Sequence, residues 1–380
     1  MSTTAPAPVS TWWEWKGRSR EAQYTVGIEE EAMLLEPERW ELAHHSDRVL
    51  EDLPPEVVEH ATMETHRSAL ELATGVHESV PSAAAEMLSL RQALDRSVRS
   101  MGLRAASSGT HPSAVWQDTV VSDGKRYAFV YGSMRELARR EPTFALHVHV
   151  GINSPNDAIR LVNRMRAHVP LLLALSVNSP FWQGRDTGLA SARTPLFQAF
   201  PRVGIPRRFR DYEDYVGTVD LLMRCESMPD PTFLWWDVRP QPRFGTVEVR
   251  IMDAQTTVAE TASIAALVQC IARLEVERGY VSARALEVPE ALDENRFLAA
   301  RDGMAAELID VELERRVPAR EMALRLLEAC APHARALGCE RELDGIATMA
   351  ERTGADRQLD GARGPARLRG LVAALADQYV

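Results

Sequence analysis

Apolar and polar residues alternate with a period of two in four segments of the chain. The clearest is residues 143–153, where every second position is apolar: Phe144, Leu146, Val148, Val150 and Ile152. Residues 24–35, 68–76 and 246–253 show a similar alternation. Successive side chains of a strand point to opposite faces, so each segment predicts a strand with one apolar and one polar face.

Longer apolar periodicities predict helices over residues 81–101, 156–177 and 258–280, the first with Pro81 in its opening turn. Strands and helices interleave, and some strands have hairpin-like spacing. This order favours an α+β fold in which one sheet is covered by helices on one face. We expect residues 1–22 to form a flexible tail and residues 23–380 a single domain, with the sheet and its helices in 23–280 and further packed helices in 281–380. The Gly-, Pro- and Arg-rich stretch 179–210 predicts a long irregular segment of the kind that is usually functional.

Charged and imidazole side chains gather on the polar faces of the four predicted strands. Glu30 is the exception, because it falls on the apolar side of its strand. If the strands share one sheet, the shared polar face collects Glu29, Glu31, Glu71, His147, His149, Glu248 and Arg250.

Such a face needs cations. Two carboxylates about 6 Å apart repel by roughly 3 kcal/mol at an effective dielectric constant of ~20. Hard oxygen ligands with one or two imidazoles favour Mg²⁺ or Mn²⁺ over zinc. A carboxylate-rich floor beside an arginine is the arrangement that binding a nucleoside triphosphate and stabilising a transferring phosphoryl group would require.

Composition and charge exclude several classes of function. The 380 residues are 45% hydrophobic and 26% charged, which is ordinary for a globular protein. A net charge of −10 argues against a nucleic-acid partner. The chain has no apolar run of ~18 residues and no leader-like start, so we expect a cytoplasmic protein without a membrane partner. It also lacks a GxxxxGK[ST] loop, a GxSxG elbow and CxxC spacing among its four cysteines.

Several stretches resemble one known family in the right order, from about residue 24 to residue 280. They read GIEEEAMLLEP, LELATGV, HVHVGI, NSPFWQGRDTGLASAR, FPRVGIP and WWDVRPQPRFGTVEVRIMD. They are similar to the type 2 glutamate-cysteine ligases, carboxylate-amine ligases related to glutamine synthetase. Where family members often have Cys-Gly before the HVH motif, this chain has Phe144-Ala145. That departure bears on substrate detail and leaves the metal-binding positions filled.

The resemblance implies a curved, mainly antiparallel sheet that forms a funnel-shaped site, with helices on its outer face. It implies catalytic roles for Arg193, Arg250 and Glu248, with both arginines near the nucleotide phosphates. His149 has no role assigned by the resemblance. Metal ligands are implied at Glu29, Glu31, Glu64, Glu71, His147 and Glu248, of which Glu64 enters only through the resemblance.

The implied reaction uses ATP and Mg²⁺ (or Mn²⁺) to activate a small carboxylate as an acyl phosphate, which a small amine then attacks. Which acid and which amine are used is left open, and so is cysteine as the acceptor. The resemblance also suggests a homodimer or larger homo-oligomer.

A different ATP-dependent reaction at the same site is one alternative, and two further alternatives belong to other classes of protein. The first is a metal-dependent hydrolase of the amidohydrolase type, in which HxH ends a barrel strand. Such sites need further His and Asp ligands on later strands, and only His168 and His333 follow His149. The second is a non-catalytic binding protein with the same fold, whose signature would be a broken row of metal ligands. Every carboxylate position of the row is filled here.

Overall fold

The four strands with polar faces pair in one sheet of eight strands, in a computed structural model that describes residues 11–17, 23–140, 142–362 and 367–380. Six strands follow the order β11-β12-β6-β1-β4-β3, and β2 and β5 pair with the far end of β1. Every pairing within this sheet is antiparallel, which confirms the predicted sheet type. Its strands are β1 (Val26–Glu36), β2 (Glu41–Leu42), β3 (Ala61–Met63), β4 (Ala69–Ala73), β5 (Arg104–Ala106), β6 (Leu146–Gly151), β11 (Val238–Gln241) and β12 (Thr246–Val249).

Six shorter strands form three two-stranded pairs outside this sheet. They are β7 (Phe181–Trp182) with β8 (Arg185–Asp186), β9 (Val203–Gly204) with β10 (Trp235–Trp236), and β13 (Glu307–Asp310) with β14 (Arg315–Pro318). The first two pairs lie within or beside the irregular stretch 179–210, which otherwise contains one short helix.

The register of the sheet brings its polar residues side by side. Glu29 lies opposite His147 on β6, and Glu31 lies opposite Glu71 on β4. On the next strand Glu248 lies opposite His149. The polar faces predicted separately for four strands are therefore one continuous surface.

Helices cover the other face of the sheet. Two long helices, α3 and α9, contact the central strands β1, β4 and β6, and α5 contacts β11 and β12. The helices are α1 (Ser46–Asp52), α2 (Pro55–Val58), α3 (Val80–Ser100), α4 (Lys125–Met134), α5 (Pro155–Met165), α6 (Val169–Ser176), α7 (Arg193–Phe197), α8 (Tyr212–Arg224), α9 (Val258–Glu277), α10 (Pro289–Asp302), α11 (Ala319–Leu337), α12 (Glu340–Glu351), α13 (Gly354–Gly361) and α14 (Arg367–Asp377). None of the helices within the described ranges combines the length and apolarity needed to cross a membrane.

Glu30 points to the helix side, as its place in the alternation predicts. It is 2% exposed and pairs with Arg91 of α3, which is fully buried. Arg91 donates through Nε to one Glu30 oxygen (2.8 Å) and through Nη2 to the other (2.5 Å). Its remaining donors go to the backbone oxygens of Gln255, Thr256 and Tyr379. All five guanidinium N–H groups are thereby satisfied, so the strand that carries Glu29 and Glu31 is fixed from behind.

The helix predicted over 156–177 is wrong as a single element. It consists of α5 and α6 with a break after Met165. Pro170 stands in the first turn of α6 and has no N–H to offer to the carbonyl of Arg166, so one continuous helix cannot form there.

The last hundred residues are not all helical, because β13 and β14 form a hairpin within them. Leu308 and Val317 are buried and face each other across this hairpin, whereas most of its other residues are at least partly exposed. Two buried side chains in a charged stretch give too weak an alternation to predict a strand pair.

The expected tail needs a correction for residues 11–17. Residues 1–10 and 18–22 lie outside the described residues. Trp12 and Trp15 pack against the domain, and their indole N–H groups donate to Asp220 Oδ1 and to the carbonyl of Ile152. A tryptophan side chain has a large apolar surface and one hydrogen-bond donor, and both anchor this segment to the domain. Composition alone predicted a flexible tail here.

Candidate active site

The polar face of the sheet is the floor of a cavity of about 540 Å³. Its volume lies in the range usual for small-molecule sites. All eight residues predicted for metal, catalytic or phosphate roles line it: Glu29, Glu31, Glu64, Glu71, His147, Arg193, Glu248 and Arg250. Glu64 follows β3 directly, so the strand that pairs with β4 carries it to the same end of the floor as Glu71.

Three groups of ligand atoms lie close enough to hold cations, the atoms of each group being within 4.8 Å of one another. One group is Glu31, Glu64 and Glu71, and the second is Glu29, Glu71 and His147. The third joins Glu29 and Glu248 to His149, the residue for which sequence reasoning found no role. Glu29 and Glu71 each belong to two groups, so the three form a connected row.

Glu29 lies between the two imidazoles of β6. Its Oε2 is 3.2 Å from His147 Nδ1, and its Oε1 is 3.1 Å from His149 Nε2. Arg250 Nη1 also lies 3.4 Å from His147 Nδ1. One ring nitrogen cannot donate to a carboxylate and accept from a guanidinium at once. A cation between Glu29 and His147 would remove this conflict, because the nitrogen would then offer its lone pair.

His149 also directs one ring nitrogen at the row. Its Nδ1 lies 3.0 Å from Thr246 Oγ1, whereas its buried Nε2 forms no hydrogen bond of good geometry with any described residue. Metal-binding histidines usually have one nitrogen fixed by a hydrogen bond and the other directed at the ion. Carboxylate oxygens with one imidazole in two of the groups therefore fit Mg²⁺ or Mn²⁺.

The carboxyl groups of the row fall into two sets, one with raised pKa values and one with lowered pKa values. Burial, together with the charge of Glu64, raises the pKa of Glu31 to about 8. Burial and the charges of Glu29, Glu64 and Glu31 raise the pKa of Glu71 well above its usual range. Burial also raises the pKa of Glu64. Without cations, three neighbouring carboxylates do not stay ionised together, which is the behaviour expected of a site that exchanges protons for metal.

Glu29 and Glu248 behave in the opposite way. Burial acts to raise the pKa of Glu29, but the charge of His149 and the hydrogen bond from His147 outweigh burial and lower it. Likewise the charges of Arg239 and Arg250 outweigh burial and hold the pKa of Glu248 well below its usual range. Burial and the charge of Arg250 lower the pKa of His147 to about 4, so this imidazole is neutral near pH 7, as a metal ligand must be.

Two arginines hold Glu248. Arg239, on the paired strand β11, donates to both carboxylate oxygens at 2.7 and 3.1 Å. Gln241 donates to one of them at 2.6 Å. Arg250 contacts Glu248 through a single nitrogen, Nη1. Since Arg239 already neutralises the carboxylate, Arg250 keeps donors that can turn to a ligand in the cavity.

Arg193 is the first residue of α7, the short helix within the irregular segment that the sequence singled out. Its guanidinium donates to the carbonyls of Ile251 (2.9 Å) and Arg250 (3.2 Å) and lies 3.7 Å from Asp253. These contacts fix the middle of the irregular segment against the chain that follows β12. Arg193 and Arg250 thus line the same cavity.

Sequence reasoning missed several cavity residues. Arg239 and Gln241 could have been found, because the stretch VRPQPRFGTVEV alternates on both sides of Gly245 and so predicts a hairpin. Arg126 and Tyr127 of α4 also line the cavity. No local sequence pattern predicts that Arg126 and Tyr127 line the cavity, because α4 brings them to the sheet from elsewhere in the chain.

A second, smaller cavity of about 230 Å³ adjoins the row of ligand groups. Glu29 and His149 belong both to its lining and to the third ligand group. Val76 and Phe244 also line it, and these two side chains are 62% and 43% exposed. Apart from the acid and the imidazole at its base, its lining is mostly small or apolar.

An antiparallel sheet with a carboxylate- and imidazole-rich floor, covered by helices on its other face, is the glutamine synthetase-like fold. The amidohydrolase alternative is disfavoured, because it places its HxH at the end of a strand in a barrel of parallel strands. The model of glutamate-cysteine ligase family 2 matches residues 25–368, and the chain belongs to this family. It is therefore a member of a family of amide-bond-forming ligases.

Two relatives illustrate the match. A putative glutamate-cysteine ligase 2-1 of Rubrobacter xylanophilus is 40% identical over 323 residues, which cover 85% of this chain and 86% of the relative. A putative glutamate-cysteine ligase 2 of Sorangium cellulosum is 38% identical over 333 residues, covering 86% and 88%.

Solved structures share the fold at low sequence identity. A glutamate-cysteine ligase from Francisella tularensis, in complex with AMP, superposes with a TM-score of 0.68 at 14% identity, over 94% of this chain and 92% of that one. A bifunctional glutathione synthetase from Pasteurella multocida gives 0.70 at 15% identity, with 94% of this chain matching 52% of that one. These similarities confirm the predicted fold class.

Proposed function

We propose that this protein is an ATP- and Mg²⁺-dependent carboxylate-amine ligase that activates a small carboxylate as an acyl phosphate and joins it to a small amine. The observation that carries the proposal is the connected row of three ligand groups beside Arg193 and Arg250, on the floor of one cavity. The chain has no phosphate-binding P-loop, so cations and arginines are the groups that can hold a triphosphate.

The metal ligands would be Glu29, Glu31, Glu64, Glu71, His147 and Glu248, with His149 added by its place in the third group. Bound divalent ions would supply positive charge to neutralise the phosphates and polarise the transferring group. Arg250 would donate to phosphate oxygens, and Arg193 would fix the wall beside it.

The smaller cavity would take the nucleoside. Its base contains Glu29 and His149, so a nucleoside seated there would have its phosphates beside the ligand row. Val76 and Phe244 offer apolar surface to a planar base. The acid and the amine would then occupy the larger cavity, near Glu31, Glu64 and Glu71.

In the proposed reaction a carboxylate oxygen of the acid attacks the γ-phosphorus of ATP, and the bond to the ADP oxygen breaks. The amine nitrogen next attacks the acyl carbon, the carbon–oxygen bond to phosphate breaks, and the amine loses a proton. Amide, ADP and inorganic phosphate are the products. The protein's own groups bind, orient and neutralise charge, and no protein nucleophile is needed.

The test is to incubate the protein with ATP, Mg²⁺ and a mixed pool of amino acids and other small acids and amines. We expect ADP to accumulate together with a new amide mass, and neither to form with the Glu29→Gln variant. ATP hydrolysis without any amide would contradict the ligase assignment. ATP binding without turnover of any acid–amine pair would favour the non-catalytic alternative.

A further inference from the structure

Residues 11–17 form a strap that lies before the part of the chain matched by the family model, which begins at residue 25. Helix α8 holds the first half of this N-terminal strap. Trp12 Nε1 donates to Asp220 Oδ1 at 3.0 Å, and the hydroxyl of Tyr212 donates to the carbonyl of Trp13 at 2.6 Å. Trp12 also meets the ring of Tyr215 edge-on, at 6.0 Å between centroids.

The second half of the strap is fixed to the sheet. Trp15 Nε1 donates to the carbonyl of Ile152, just after β6, at 2.9 Å. The backbone N–H of Lys16 donates to the carbonyl of Pro242, in the turn between β11 and β12, at 3.0 Å. The same turn carries Phe244, whose ring meets that of His149 edge-on at 6.0 Å. The strap thus braces the turn that carries one apolar residue of the smaller cavity.

Lys16 itself lines the smaller cavity. Its side chain is exposed and forms no ion pair with any residue in the described ranges, although acidic residues outnumber Lys and Arg by 54 to 44 in the chain. Its own backbone N–H is held by Pro242, and the side chain of the preceding residue, Trp15, is held by Ile152. An ordinary solvated lysine on a loose tail would have neither this fixed backbone nor a place in a cavity lining.

We propose that Lys16 is a binding residue of the nucleotide site, whose ammonium group donates hydrogen bonds to the base or sugar of the nucleotide in the smaller cavity. The proposal rests on the proposed function, which seats the nucleoside there. The phosphates would lie next to Glu29 and His149, the two residues that this cavity shares with the ligand row. The strap would then be an accessory element of the nucleotide site, outside the residues that the family model matches.

Calorimetric titration of the full chain with MgATP, and separately with magnesium tripolyphosphate, tests this assignment. Lys16→Ala should weaken MgATP binding about five- to tenfold, the scale of one hydrogen bond from a charged donor near solvent, and leave tripolyphosphate binding unchanged. Lys16→Arg, which keeps a cationic donor, should retain most of the affinity. The matched control is Glu14→Ala, an exposed strap residue outside the cavity lining, which should bind both ligands as the wild type does.

Two outcomes would overturn the assignment. Unchanged MgATP affinity in Lys16→Ala would show that the lysine does not touch the nucleotide. Equal losses for ATP and tripolyphosphate would place its contact at the phosphates instead of the nucleoside. If the wild type bound no MgATP, the proposed function would fall together with this inference, and the wild-type titration alone would reveal it. A thermal melt of each variant checks that the strap still packs.

Discussion

Replacing Arg250 by lysine should damage catalysis far more than folding. Arg250 contacts Glu248 through one nitrogen and lies 3.4 Å from His147. Lysine keeps the positive charge but loses the planar fork, which allows two parallel bonds to phosphate oxygens. Removing one preorganised donor of this kind costs about 3 kcal/mol in the transition state. We therefore expect the turnover number to fall by at least ~10²-fold, with a smaller change in the Michaelis constant for ATP.

The structure argues that folding will tolerate this change. Arg239 and Gln241 already satisfy both oxygens of Glu248, at 2.7, 3.1 and 2.6 Å. The carboxylate therefore does not depend on Arg250 for its charge partner. If Arg250 only braced the sheet, lysine would substitute tolerably, and Arg250→Ala would lose stability and activity together.

Steady-state kinetics and melting curves of both variants separate these possibilities. Arg301→Lys is the matched control, because Arg301 is an exposed helical arginine that pairs with the neighbouring Asp302 and does not line the cavity. Near-normal turnover in Arg250→Lys would refute phosphate stabilisation by this residue.

Three further predictions concern the carboxylate row. Glu29→Gln and Glu31→Gln should each abolish turnover with little loss of stability. Glu30→Gln should mainly lower the free energy of unfolding, by about 3–5 kcal/mol in a urea titration, because it leaves the buried Arg91 charge unpaired. A Glu30→Gln variant of normal stability but no activity would contradict the strand register. In EDTA the melting temperature should fall as the pH rises from about 5 to about 8, because Glu31, whose pKa is raised to about 8, keeps its proton in the folded protein after the unfolded chain has lost it. Mg²⁺ should remove this slope, and a slope that persists in Glu31→Gln would show another origin. Mg²⁺ binding at pH 7 should release protons, seen as a binding enthalpy that changes with the ionisation enthalpy of the buffer; no such change would contradict the raised pKa values.

Alternation along strands predicted the floor of the site because a strand has only two faces. Glu29 and Glu31 lie on the cavity side and Glu30 on the helix side, so the period of two assigned all three correctly. The assumption that four strands share one sheet could not be tested from spacing. The pairing of Glu29 with His147 and of Glu248 with His149 now confirms it.

Local sequence patterns could not predict contacts between residues that are far apart in the chain. The proposed role of His149 depends on Glu248, a carboxylate about a hundred positions later in the chain. Arg91 donates a hydrogen bond to the carbonyl of Tyr379, which is next to the last residue. Arg126 reaches the cavity on a helix whose sequence carries no distinctive signal. The break before α6 was visible in principle, since Pro170 is in the sequence, but the apolar periodicity outweighed it.

The most direct test of the account is calorimetric titration of the full chain with ATP in the presence of Mg²⁺ and again in EDTA. The triphosphate is proposed to bind to cations held by the ligand row, and the sequence has no P-loop that could bind phosphate without them. We predict clear binding with Mg²⁺ and none detectable in EDTA. Equal affinity under both conditions would contradict the claim that this floor is a metal-dependent nucleotide site.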